Sequence, residues 1–177
     1  RERRVFFFEE PVFDAAEGPE LQLEQDGGVT VVTPHLPAGM PEEQAIAAQR
    51  ELLDRLIADR QITSYVVWYY TPMALAFSDH LDPKYVVFDC MDELSAFANA
   101  PVALKRAEAE LLAYADVVFT GGQSLYEAKR NSHPNVHAFP SSVDIAHFGQ
   151  ARQPREDPED QRSIPHPRLG FFGVIDE

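Results

Sequence analysis

The sequence predicts an α/β protein built on a parallel sheet with helices on both faces. Three observations carry that reading. Strand-like apolar runs alternate with amphipathic helical ones, which implies right-handed strand–helix–strand crossovers. The runs Tyr65–Tyr69, Tyr85–Phe88 and Val117–Thr120 are apolar almost throughout, as strands covered on both faces are, where half-exposed strands would alternate. Glycine pairs at 27–28 and 121–122 punctuate the pattern where the chain must turn.

Taken in order, the chain opens on a strand-like run from Arg4 through three phenylalanines to Pro11. Val29–Thr33 is the next strand, bounded by Gly27-Gly28 and Pro34. Pro41 to Arg60 is a helix: Pro41 suits the first turn, Glu42 and Glu43 sit at the positive end and Arg60 at the negative end. Ile46, Leu53, Leu56 and Ile57 recur at helical spacing and are expected to face the sheet. Tyr65–Tyr69 is a strand, Pro72 begins a short helical segment, and Tyr85–Phe88 is a further strand. Asn99-Ala-Pro101 starts a helix that reaches about Ala115, with Leu104, Leu111, Leu112 and Ala115 inward. Val117–Thr120 is a strand, Gln123–Asn131 a helix with Lys129 and Arg130 at its end, and Val136 begins a last short strand.

The expected organisation is a domain over 1–149, a linker over 150–167 with four prolines and no periodicity, and the opening strand of a second domain over 168–177. Both termini are apolar strands without cover, so the chain reads as a piece of a longer protein cut at each end.

Composition narrows the function classes. The 177 residues carry 45% hydrophobic and 25% charged side chains, enough apolar matter for a core. Fifteen basic against 29 acidic residues leave a net charge of -14, opposite to what a nucleic-acid phosphate backbone requires. No apolar run approaches the roughly 18 residues of a spanning helix. The single cysteine, Cys90, excludes an internal disulfide and fits a reducing compartment.

The chemistry-bearing stretch is VVFDCMDEL, residues 86–94, where an apolar run ends in Asp89, Asp92 and Glu93. Ligands of open parallel sheets bind at the carboxyl ends of strands, so these acids can serve as a base or orient sugar hydroxyls. Capping of a following helix by Asp92 accounts for them equally well. A phosphatase of the haloacid-dehalogenase-like kind has a similar strand, but it needs its two aspartates separated by one residue; Asp89 and Asp92 are separated by two. Ser124 lacks the closing glycine of a nucleophile elbow, and Pro134 keeps His133 and His137 off a shared helix face, against a zinc site. The Gly121-Gly122 turn suits either an anion or a plain strand-to-helix bend.

The order Ala115-Asp-Val-Val-Phe-Thr120, Ser124-Leu-Tyr126, Pro140-Ser-Ser-Val-Asp144 with Phe148, and Gly170-Phe-Phe-Gly173 resembles bacterial nucleotide-sugar glycosyltransferases of the GT-B architecture, the group-1-like enzymes of cell-wall and exopolysaccharide synthesis. Ser142 stands where that group has glycine, and acids follow the Tyr85 strand where it has a histidine. The resemblance implies the Rossmann-like amino-terminal half of such an enzyme, lacking its first strand and binding the acceptor. The donor, a nucleotide sugar, would be held mainly by a second domain. The acceptor would be a glycan or lipid-linked sugar, the enzyme cytoplasmic or peripheral to the inner membrane, and neither metal nor other cofactor is called for in this portion. Asp92 is then the first candidate for the base, Asp89 the second, with Glu93, Tyr70 and Thr71 touching the acceptor. These 177 residues by themselves would be inactive. Two alternatives from other classes stand beside this expectation: the phosphatase, and a non-catalytic module that binds a sugar or nucleotide.

Overall fold

The computed structural model describes residues 3–93, 101–140 and 142–170. The chain divides into two units, Arg1–Ser141 and Ser142–Glu177. The first is α/β, with parallel sheets flanked by helices in a Rossmann-like arrangement.

Two four-stranded sheets replace the single sheet expected. In the first, β4 (Val29–Pro37) is central. β1 (Val5–Phe8) and β2 (Val12–Ala15) pair with it in parallel. β3 (Glu20–Asp26) pairs with it antiparallel along its length. The β3–β4 hairpin is absent from the sequence expectation although its signals are present. Leu21 and Leu23 alternate with polar residues, and Gly27 takes the positive φ of 56° that a two-residue hairpin turn demands. The second sheet is wholly parallel, in the order β5 (Val66–Tyr69), β6 (Tyr85–Cys90), β7 (Val117–Thr120) and β8 (Val136–Ala138).

Between β4 and β5 runs α1 (Glu42–Asp59), started by Pro41 with Glu42 and Glu43 in its first turn. Its buried residues are Ala45, Ala48, Gln49, Leu52 and Leu56, so of the expected face Ile46, Leu53, Leu56 and Ile57 only Leu56 is fully inward, and the helix is turned by about one residue toward Ala45 and Leu52. The small side chains decide this: Ala45, Ala48 and Leu52 cluster with Leu36 of β4, where a bulkier Ile would hold helix and strand apart. A short helix α2 (Leu75–Ser78) follows β5. α3 (Val102–Tyr114) then leads into β7, and α4 (Gln123–Lys129) into β8. The strands advance in sequence order across the sheet, and right-handed crossovers put such connections on one face.

That face is the core. Tyr69, Val86, Phe88, Cys90 and Val118 of the strands meet Leu75, Leu111 and Leu112 of α2 and α3. The opposite face of the same strands carries Trp68, Asp89, Phe119 and His137. On that face Trp68 is 49% exposed and His137 exposed, while Val87 beside Trp68 is buried. Val66 is exposed as well, against the expectation that the Tyr65–Tyr69 strand is covered on both faces, and in the first sheet so are Val5 and Phe7.

Asp116, part of the Ala-Asp pair that precedes β7, is a structural residue. Its Oδ2 accepts from the Val86 backbone N–H at 2.8 Å and so satisfies the start of β6. In the second unit α5 (Ile145–Gly149) is capped by Asp144, whose Oδ1 accepts from the His147 N–H at 2.9 Å. Short 3₁₀ turns at Gln150–Arg152 and Glu159–Gln161 follow, and Arg168 pairs with Asp157 at 2.9 Å. The strand expected over 168–177 lies largely outside the described residues.

Candidate functional site at the carboxyl edge of the second sheet

The parallel register collects the singled-out residues at one edge. Tyr69 pairs with Phe88 and Cys90 with Thr120, so Tyr70-Thr71, Met91–Glu93 and Gly121-Gly122 leave the sheet at its carboxyl end from neighbouring strands. Tyr70 is 55% exposed and Asp92 exposed, both open to a ligand. Thr71 spends its hydroxyl locally, accepting from the Met73 N–H at 3.3 Å to start the 3₁₀ turn Pro72–Ala74.

Asp89 belongs to β6 itself and not to the loop beyond it. In register with Phe119, it lies on the uncovered sheet face, where its Oδ2 accepts from the Trp68 indole N–H at 3.2 Å. Trp68 stacks on Phe119 with ring centroids 5.7 Å apart, and Phe119 meets Phe139 at 5.8 Å. An aromatic strip therefore runs from β5 across to the end of β8, with one carboxylate inside it.

Glu93 is drawn the other way. Lys129 of α4 is only 8% exposed at its side chain and lies 2.5 Å from Glu93 and 3.1 Å from Glu108 of α3. Burial alone would lower the Lys129 pKa, but the two carboxylates outweigh it and hold it above the ordinary lysine value. This triad fastens the acidic loop to α3 and α4. In the sequence Lys129 stands out only as a helix-end charge, since its partners lie in remote elements.

Two further contacts set the loop. The Gly121 N–H donates to the Cys90 carbonyl at 3.0 Å, and a Cβ on Gly121 would stand 2.9 Å from the Met91 carbonyl oxygen. A glycine is needed because two backbones meet there. Cys90 is buried, and desolvation first of all pushes its thiol up to about 11, so it is neutral at ordinary pH and no nucleophile.

The histidines are occupied: His133 Nε2 is 2.9 Å from the Ala115 carbonyl oxygen, and His137 Nε2 is 2.8 Å from Asn135 Oδ1. No group of three or more His, Cys, Asp or Glu among the described residues is placed to hold a metal ion. No helix among them is long and apolar enough to cross a membrane.

Comparison with family models and with curated proteins finds no match.

Proposed function

We propose that this chain is the acceptor-side portion of a glycosyltransferase that moves a sugar from a nucleotide-sugar donor to a glycan or lipid-linked acceptor. The observation that supports it is the pairing of an exposed aromatic ring and an exposed carboxylate, Tyr70 and Asp92, on adjacent strand ends of a parallel sheet. Sugars present an apolar face and a rim of hydroxyls, and an aromatic ring beside a carboxylate complements both. Asp92 accepts from an acceptor hydroxyl and draws off its proton as that oxygen bonds to the anomeric carbon. The bond from that carbon to the donor's phosphate oxygen breaks meanwhile, and the nucleotide leaves with the electron pair. Asp89, held by Trp68, is the second carboxylate and orients a hydroxyl on the sheet-face side. Glu93 acts through Lys129, by keeping the loop in place, and Thr71 by shaping the turn that presents Tyr70. The donor is held by protein outside this portion, and the chain alone turns nothing over.

Titration of the chain with methyl glycosides of glucose, mannose and galactose, followed by saturation-transfer NMR, tests the reading. Binding of at least one is expected. Asp92→Asn should weaken it about tenfold, the loss expected for one hydrogen bond to a charged group, and Tyr70→Ala should abolish it. Failure of all three glycosides to bind sinks the proposal. So does Mg²⁺-dependent hydrolysis of p-nitrophenyl phosphate that disappears in Asp89→Asn, the mark of the phosphatase alternative.

A further inference from the structure

The carboxyl half of α1 faces the β3–β4 hairpin across a gap. In the hairpin Leu21 and Leu23 of β3 stand opposite Pro34 and Val32 of β4, on the side that carries Leu36 toward α1. The amino half of the helix closes on this layer: Ala45, Ala48 and Leu52 cluster with Leu36, and Leu21 packs against them. Leu23 has no place in that cluster. Between β3 and the rest of α1 lies a cavity of about 430 Å³, with Leu21, Leu23, Leu52 and Leu56 as its apolar lining. Small-molecule sites span about 300–1,000 Å³ and pair such walls with a few polar groups.

The polar groups here come mostly from the same helix face. Leu52, Arg55, Leu56 and Asp59 succeed one another at spacings of three and four and so share one side of α1, with Arg60 one turn beyond Leu56. Glu20, at the start of β3, adds a second carboxylate. Two guanidiniums and two carboxylates thus border one apolar space, all on exposed residues. No ion pair or side-chain hydrogen bond joins any of the four to a neighbour among the described residues. Their charges cancel, although the chain as a whole carries -14. A lone anion would meet Asp59, Glu20 and the field of that net charge, and a lone cation would meet both arginines. A zwitterion incurs neither repulsion, because each of its ends finds the opposite sign.

We infer that this cavity binds a free apolar α-amino acid. The carboxylate sits on Arg55 and Arg60, whose planar guanidiniums match its shape, and the ammonium sits on Asp59 and Glu20. The side chain lies on the four leucines. At about 30 Å³ for a water-sized group, the space admits a molecule of about a dozen non-hydrogen atoms, the size of phenylalanine or leucine. The site uses no residue of the sugar-facing edge on the second sheet, so it serves a ligand other than donor and acceptor.

Isothermal titration calorimetry of the chain with L-phenylalanine and L-leucine tests the inference. Saturable binding of at least one, with a Kd of about 1 mM or tighter, is expected. For the ligand that binds, the N-acetyl derivative lacks the ammonium and the α-amide lacks the carboxylate. Each should bind at least about tenfold more weakly, the loss expected for a hydrogen bond to a charged group. Arg55→Gln and Asp59→Asn should weaken the parent amino acid by the same factor. Both side chains are exposed, so the amide NMR spectrum away from the cavity should stay as in the wild type. Should one variant lose that spectrum, the other variant and the two derivatives decide. Three results would each overturn the inference: no binding of either amino acid, derivatives that bind as well as the parent, or folded variants that bind as well as the wild type.

Discussion

Lys129 carries more of the acidic loop's order than any aspartate in it. Its ammonium, between Glu93 and Glu108, is nearly closed to solvent, and truncating it strands two carboxylates. Lys129→Met should cost about 3 kcal/mol in urea unfolding, the range for breaking a buried pair. The pH dependence has a definite sign. A lysine whose pKa is raised on folding contributes fully below its ordinary value of 10.5 and loses that contribution as pH rises through the higher folded value. The gap between wild type and Lys129→Met should therefore persist across neutral pH and close only in strong alkali. A gap that closes already between pH 7 and 9 would show that the ion pairs do not stabilise the fold.

Elements are positioned by the size of their contact residues as much as by their hydrophobicity. α1 turns Ala45 and Ala48 to Leu36 and leaves Ile46 half-buried, because close approach to β4 favours a methyl over a branched chain. Ala48→Leu should overpack this contact and lower stability by about 1–3 kcal/mol, whereas Ile46→Leu should change it by less than about 1.5 kcal/mol. Equal costs at the two positions in thermal or denaturant unfolding would contradict the observed helix rotation. The same consideration holds at Gly121, where the β7 turn and the acidic loop share a space too small for any Cβ.

Over the whole molecule the charge of -14 works against compactness. At about 0.01 M ionic strength charges interact over roughly 30 Å, and at about 0.15 M over roughly 8 Å. The midpoint of thermal unfolding should rise as sodium chloride is added across that range, because self-repulsion among exposed carboxylates is screened. A midpoint that falls instead would mean that the attractive ion pairs, among them Arg50–Asp79 and Arg106–Glu110, outweigh the repulsion. The exposed aromatic strip of Trp68 and Phe139 and the open edges of β1 and β5 are likewise properties of the molecule as a whole. The strip is exposed among the described residues because the connections after β5 gather on the other face of the sheet.

Local sequence suffices for the α/β class, for parallel strands joined by helices from β5 to β8 and for placing Tyr70 and Asp92 at strand ends. These follow from periodicity and from the handedness of crossovers, which the chain carries at short range. The order of those strands in the sheet came from the tertiary structure. Three-dimensional packing alone places Asp89 within a strand against Trp68, holds Glu93 to Lys129, and seats α1 through its alanines. Each depends on residues far apart in the chain, and no local pattern encodes which remote side chain arrives. The division into two sheets is of the same kind: a strand's own residues give its tendency to extend, but whether its second edge is paired depends on what lies beside it.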